Sequence, residues 1–202
     1  LNAHAGDHER AVAMAKTTIK TFERTPVDAV IVNTSGCGAH MKAFGALLAD
    51  DPAWAARARR FSQSVQDISE FLAREPLRGP LAAVPMTITY HDPCHVAHGQ
   101  KIRTQPRRLL AQVPGLHIVE LKESDWCCGS AGIYNLTQPE MATRLLHRKV
   151  SHILATGAAA VVTANPGCIL QIQSGLRAHG SAARVMHLVE VLDVAYAKAG
   201  GS

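Results

Sequence analysis

Aromatic residues are scarce in this chain, at 4% of 202 positions, and charged residues make up only 18%. The 21 Lys and Arg outnumber the 16 Asp and Glu, but they are scattered apart from Arg57-Ala-Arg59-Arg60 and Arg107-Arg108. With few aromatic rings between them, they do not form the stacking groove of a single-strand binder, so no nucleic-acid partner is expected. No signal peptide is visible in the opening Leu1-Asn-Ala-His-Ala-Gly6. A starting methionine is also missing, so the chain reads as a piece of something longer. The low charge does not mean disorder, because 47% of residues are hydrophobic and can build a core. The uncharged stretch Ile153–Leu176 is as long as a membrane span. Its centre reads Thr163-Ala-Asn-Pro-Gly-Cys168, followed by Gln171, Gln173 and Ser174, which a bilayer helix tolerates badly. It is expected to be a buried strand followed by a loop, and no transmembrane segment is expected.

The length suits one medium domain or two small ones, and an internal repeat favours two. Val27-Asp-Ala-Val-Ile-Val-Asn-Thr-Ser-Gly-Cys37 aligns without gaps on Ala158-Ala-Ala-Val-Val-Thr-Ala-Asn-Pro-Gly-Cys168, offset by 131 residues. Each copy is a short apolar run ending at Gly-Cys. Each follows a helical pattern, carried by Val12, Met14, Ile19 and Phe22 in the first and by Met141, Leu145, Val150 and Ile153 in the second. Tight turns, Thr25-Pro26 and Thr156-Gly157, join helix to strand. Between the copies, Pro52–Leu72 predicts one amphipathic helix on Trp54, Phe61, Val65, Ile68, Phe71 and Leu72. The Pro- and Gly-rich stretch Arg74–Pro85 predicts a boundary, giving units 1–80 and 81–202. Further on, Met86–Tyr90 and Leu116–Leu121 predict strands, and Pro106–Gln112 and Leu188–Lys198 predict helices. Helices alternating with strands predict an α/β fold of two small related units with parallel sheets, the cysteines sitting in loops at the carboxyl ends of strands.

The five cysteines are Cys37, Cys94, Cys127, Cys128 and Cys168. An odd number without a secretory signal argues against a disulfide framework. Cys94 and Cys168 each follow a predicted strand, and Cys127-Cys128 follow another within a few residues. Four thiolates at one sheet edge would suit a [4Fe–4S] cluster, one per iron. Successive strand residues point to opposite faces, so Cys127 and Cys128 need an irregular loop to act together; Gly129 and Gly132 permit one. Zinc is the alternative, because His91, His95 and His98 surround Cys94 and can replace a thiolate. A redox-active Cys127–Cys128 pair is a third reading. Most other histidines, including His8, His147, His152 and His179, fall on predicted helix faces as surface residues. Asp92 and His95 lack the spacing that would specify a nucleophile–base pair.

Tyr90-His-Asp-Pro-Cys-His95, Trp126-Cys-Cys-Gly-Ser-Ala-Gly132 and Asn165-Pro-Gly-Cys168 together resemble the cysteine-rich CCG domain. That domain occurs in pairs in heterodisulfide reductase and in the iron–sulfur subunits of glycolate, lactate and anaerobic glycerol-3-phosphate oxidoreductases. Leu1-Asn-Ala-His-Ala-Gly6, Asn33-Thr-Ser-Gly-Cys-Gly38 and Met41-Lys42 are most similar to the glycolate oxidase members. In the family each full domain has an early Cys, a Cys-Cys-Gly and a final Cys-x-x-Cys. Here Asn165 stands where the first cysteine of that last motif would be. This leaves four cysteines rather than the five that hold the non-cubane clusters of heterodisulfide reductase. Thr34 stands at the matching place in the first copy, and Cys37 has no partner cysteines.

The resemblance implies a carboxyl-terminal fragment holding half of a first repeat and all of a second. It implies a non-catalytic electron-transfer subunit with Cys94, Cys127, Cys128 and Cys168 as cluster ligands, serving a flavoprotein partner that oxidises glycolate or a related 2-hydroxy acid and passing electrons toward quinone. The expected location is the cytoplasm, with peripheral attachment to the inner face of the membrane through the complex as a variant of it. A zinc-stabilised interaction module and a thiol–disulfide reductase remain the alternatives.

Overall fold

The computed structural model describes residues 2–3 and 5–200; Leu1 and His4 of the opening motif lie outside them. The chain divides into two units, one up to Ile68 and one from Ser69 onward. The sequence placed this joint at residues 80/81. The observed division comes earlier because Leu72, Ala73, Leu77 and Val84 pack into apolar clusters of the second unit.

In the first unit, helix α1 (His8–Glu23) starts at Asp7, whose carboxylate accepts from the Arg10 N–H at 3.1 Å. Its Ala11, Ala15 and Ile19 stripe is buried. Strand β1 (Val30–Val32) follows, then α2 (Ser35–Lys42), α3 (Phe44–Leu47) and α4 (Ala55–Ser64). Here the expected single helix Pro52–Leu72 is corrected. It breaks into α4, strand β2 (Val65–Asp67) and α5 (Ile68–Leu72), with β2 pairing parallel to β1 in the register Val30↔Val65. All three β2 residues are buried, so the backbone there needs ladder partners and β1 supplies them. Phe44 stacks on Phe61 with ring centroids 5.6 Å apart, in a core that also holds Ile19, Val30 and Val65.

The second unit is built on four parallel strands. After β3 (Met86–Tyr90) come α6 (Gln105–Leu110), β4 (Leu116–Val119), α7 (Tyr134–Thr137) and α8 (Pro139–Ala155). Strand β5 (Ala160–Thr163), α9 (Pro166–Ala178), β6 (Arg184–His187) and α10 (Leu188–Gly200) complete it. The order across the sheet is β4-β3-β5-β6. Central β5 is buried on both faces. Ala160 and Val162 join a cluster with Leu109, Leu110, Leu188 and Val191, while Val161 joins one with Val150, Ile153, Ile172 and Leu176. The sheet is thus covered by α6 and α10 on one side and by α8 and α9 on the other, the arrangement that parallel strands require. The chain leaves β3 toward β4 and then crosses to β5 on β3's other side. The order therefore reverses between β3 and β5, and in such sheets the crevice beyond the carboxyl ends at that point receives ligands.

The expected loop after β5 is corrected as well. Asn165 is extended (φ −148°, ψ 120°) and Pro166 begins α9 at once. Proline's fixed φ and missing N–H suit the first helical position. Cys168 therefore sits in the first turn of a helix, and Cys37 occupies the equivalent turn of α2 after extended Thr34 (φ −134°, ψ 110°).

Candidate metal centre

Three segments from the carboxyl edge of the second sheet carry the four predicted cysteines to one place. Strand β3 runs into His91-Asp92-Pro93-Cys94, fixed by the His91 N–H donating to the Val162 carbonyl at 2.9 Å and the Asp92 N–H to Ser124 at 3.0 Å. Asp92 is buried, and both its oxygens accept from the Arg107 guanidinium of α6 at 2.9 Å. Arg107 also holds Glu120, at 3.0 Å, and its guanidinium lies 5.1 Å from the Tyr90 ring centroid. The Asp92 carboxylate is thus engaged in holding this loop. Past Cys94 the chain makes a single π turn, His95–Gly99, a distortion often found beside functional sites.

The second segment, Cys127-Cys128-Gly129, has no regular structure, as the two adjacent cysteines require. Gly129 takes φ +92°, and a Cβ built on it would run into the Ala142 carbonyl of α8. No other residue lets the loop pass so close. Lys149, 2% exposed, reaches from α8 to the carbonyls of Glu123 and Ser124, just upstream of the loop. Burial lowers its pKa, while the Glu123 carboxylate acts in the opposite direction.

The third segment is the start of α9. Gly167 faces the Ser130 hydroxyl, and a Cβ there would come within 2.9 Å of it. Asn165, the N-cap, makes no side-chain capping bond; its amide donates to the Cys168 sulfur at 3.3 Å.

The sulfurs form a continuous series of hydrogen-bonded neighbours, Cys94 to Cys127 to Cys128 to Cys168. Their electrostatics alternate. Bonds from the Cys128 and Cys94 thiols, with help from the Gly129 N–H at 3.3 Å, hold Cys127 far below the usual thiol range. Cys168 is also held well below it, by the Cys128 thiol first and then by His91 and Asn165. Donating to these sulfurs, together with burial, pushes Cys94 and Cys128 well above it. Four thiolates this close repel one another, and bound metal is what lets all four ionise. The arrangement graduates from inside to outside: Cys128 and Cys168 are buried, whereas Cys94 and Cys127 are partly exposed. All five cysteines are free thiols, and Cys37 is exposed on α2 of the first unit.

Of the three histidines near Cys94, His91 faces the thiols. A ring nitrogen of His91 and the sulfurs of Cys128 and Cys168 lie within 4.8 Å of one another, all three residues buried. His98 instead bonds the Asp125 carbonyl at 3.0 Å and Arg103 at 3.1 Å, in an exposed network. The donor set fits a soft metal centre, since thiolates and imidazole select iron–sulfur clusters or zinc over hard cations. The fit is supported by His91, whose buried ring nitrogens find no oxygen or nitrogen partner and face the thiols instead.

The cysteine-rich (CCG) domain family matches residues 2–42 and 88–173. The chain belongs to this family. The CCG tripeptide is Cys127-Cys128-Gly129, and the matched segments include all five cysteines. Among curated relatives, the chain is 39% identical over 196 residues to the probable glycolate oxidase iron–sulfur subunit of Bacillus subtilis, covering 95% of this chain and 44% of that protein. It is 32% identical over 191 residues to lactate utilization protein A of Shouchella clausii, covering 94% of this chain and 79% of that protein. The glycolate oxidase iron–sulfur subunit of Escherichia coli is 31% identical over 198 residues, 96% of this chain and 47% of that protein. The chain thus spans less than half the length of these two glycolate oxidase relatives.

Sequence reasoning did not find Asn165 as a donor to Cys168, Lys149 as a support of the CCG loop, or Arg107 as the clamp on Asp92. Asn165 was visible only as a residue in a cysteine's place. The other two sit on helices and reach the loops through the tertiary fold, which no local pattern announces.

Proposed function

We propose that this CCG chain is an iron–sulfur electron-transfer unit of a flavin-linked 2-hydroxy-acid oxidoreductase. The observation that carries this reading is the convergence of four free thiols at the β3/β5 switch point. Cys94, Cys127, Cys128 and Cys168 would hold a [4Fe–4S] cluster, which supplies one-electron transfer when bound. Arg107 and Asp92 fix the Cys94 loop, Gly129 brings Cys127 and Cys128 together, and α9 presents Cys168 with its amide-rich end turned to negative charge. The buried pair anchors the centre, and the partly exposed Cys94 and Cys127 leave it an edge toward a redox partner.

The names of the glycolate oxidase and lactate utilization relatives support glycolate or lactate as the ultimate donor. In this reading a flavoprotein subunit oxidises the acid, and the chain passes electrons onward toward quinone. We place it in the cytoplasm, associated with the inner membrane face through that complex. Among the described residues no helix is long and apolar enough to cross a membrane. We further propose that the first unit is the second half of an earlier CCG repeat. The passage β1–Thr34–α2 matches β5–Asn165–α9 in backbone conformation and in the place of its cysteine, which supports this.

A zinc centre is the second reading, favoured by the buried grouping of His91, Cys128 and Cys168. Anaerobic purification separates the two. The expected product is brown, with broad visible absorbance that bleaches on reduction. A colourless protein holding one zinc would overturn the electron-transfer reading.

A further inference from the structure

We propose that His91 supplies a nitrogen donor to the metal centre, from the side of Cys128 and Cys168. The inference rests on the metal-centre reading above but adds a ligand that the cysteine motifs do not contain.

His91 is fully buried, 0% exposed. Its backbone is locked to β5 through the Val162 carbonyl at 2.9 Å, and the next residue is clamped by Arg107. The ring therefore has little freedom to turn elsewhere. Neither ring nitrogen finds an oxygen or nitrogen partner, although buried polar groups are almost always satisfied; the ring engages the Cys168 sulfur instead. One nitrogen nonetheless lies within 4.8 Å of two thiol sulfurs. A nitrogen this close to two of the thiol ligands can give its lone pair to an iron that one of them holds. The neutral imidazole coordinates through one nitrogen and keeps its proton on the other, so the step changes no oxidation state. His98 is not equivalent, because its ring is engaged with Asp125 and Arg103 at the surface.

With one thiolate already on each iron, His91 adds a fifth donor to the iron held by Cys128 or Cys168; a neutral nitrogen there donates less charge than the fifth thiolate of His91→Cys would, so the wild-type potential is the higher of the two. The His91→Cys variant is therefore expected to keep its iron but show a lower midpoint potential.

The direct test uses the full chain grown with 15N-histidine, loaded with iron anaerobically and studied by pulsed EPR in its paramagnetic state. The expected result is a nitrogen coupling to the cluster that changes with the label and disappears in His91→Cys. An iron-loaded wild type with no label-sensitive coupling, or a coupling that survives in His91→Cys, overturns the inference and leaves the cluster reading standing. If the chain takes up zinc and no iron, the cluster reading fails instead. The inference is then read by cobalt(II) substitution: a visible spectrum altered by His91→Cys supports nitrogen ligation, and an unchanged one overturns it.

Discussion

Cys168 and Cys37 are local twins with different surroundings. Each occupies the first turn of a helix after a short parallel strand, but Cys168 is buried among sulfurs and Cys37 is exposed. Cys37→Ser is expected to leave metal content unchanged. Cys168→Ser replaces a soft ligand with a hard hydroxyl, and the centre should be lost or become labile; metal analysis of the two purified variants checks this. Equal loss in both would mean that the site has been assigned to the wrong residues. Lys149 makes a second prediction at this scale. Lys149→Met keeps the side chain's bulk but strips the Glu123 and Ser124 carbonyls of their buried donor. A loss of about 1–3 kcal/mol in unfolding free energy is expected, the usual cost of such unmet groups. Chemical denaturation measures it, and a change within error would mean that water replaces the ammonium.

Among the elements, the strands that set the site were the most legible in the sequence. Met86–Tyr90 is a β-branched and aromatic run whose observed bounds match the expected ones, and the β5 run is apolar because both its faces are buried. The repeat alignment also placed Cys168 directly after a strand. The sequence did not reveal α9, because Pro-Gly reads as a loop even where Pro takes the first helical position. Strand β2 was hidden too: Val65 and Ile68 fit a helical stripe, and only pairing with β1 makes Val65–Asp67 extended. Strand β6 passed unnoticed because Arg184 and His187 interrupt its apolar character. Gly129 tests how tightly the CCG loop meets α8. Gly129→Ala forces a Cβ into left-handed backbone and against the Ala142 carbonyl, and should destabilise the fold by about 1–3 kcal/mol, seen as a lower midpoint in thermal unfolding. At the β3 loop, Arg107→Lys keeps the charge but cannot reproduce the two-pronged grip on Asp92. It should weaken metal retention under chelator challenge, where wild-type retention would show that the fork is dispensable.

At the scale of the whole molecule, the second unit alone brings together every proposed ligand, from His91 to Cys168. The parallel sheet explains how residues more than seventy positions apart become neighbours, since β3 and β5 lie side by side and end at the same edge. We propose that this edge holds an iron–sulfur cluster through four cysteines. The most direct test is the iron and acid-labile sulfide content of the anaerobically purified chain, measured beside a variant with Cys94, Cys127, Cys128 and Cys168 all changed to serine. About four irons and four sulfides per wild-type chain are expected, in keeping with a four-cysteine [4Fe–4S] site, and none in the variant. One zinc without sulfide, or iron retained by the variant, would contradict the proposal.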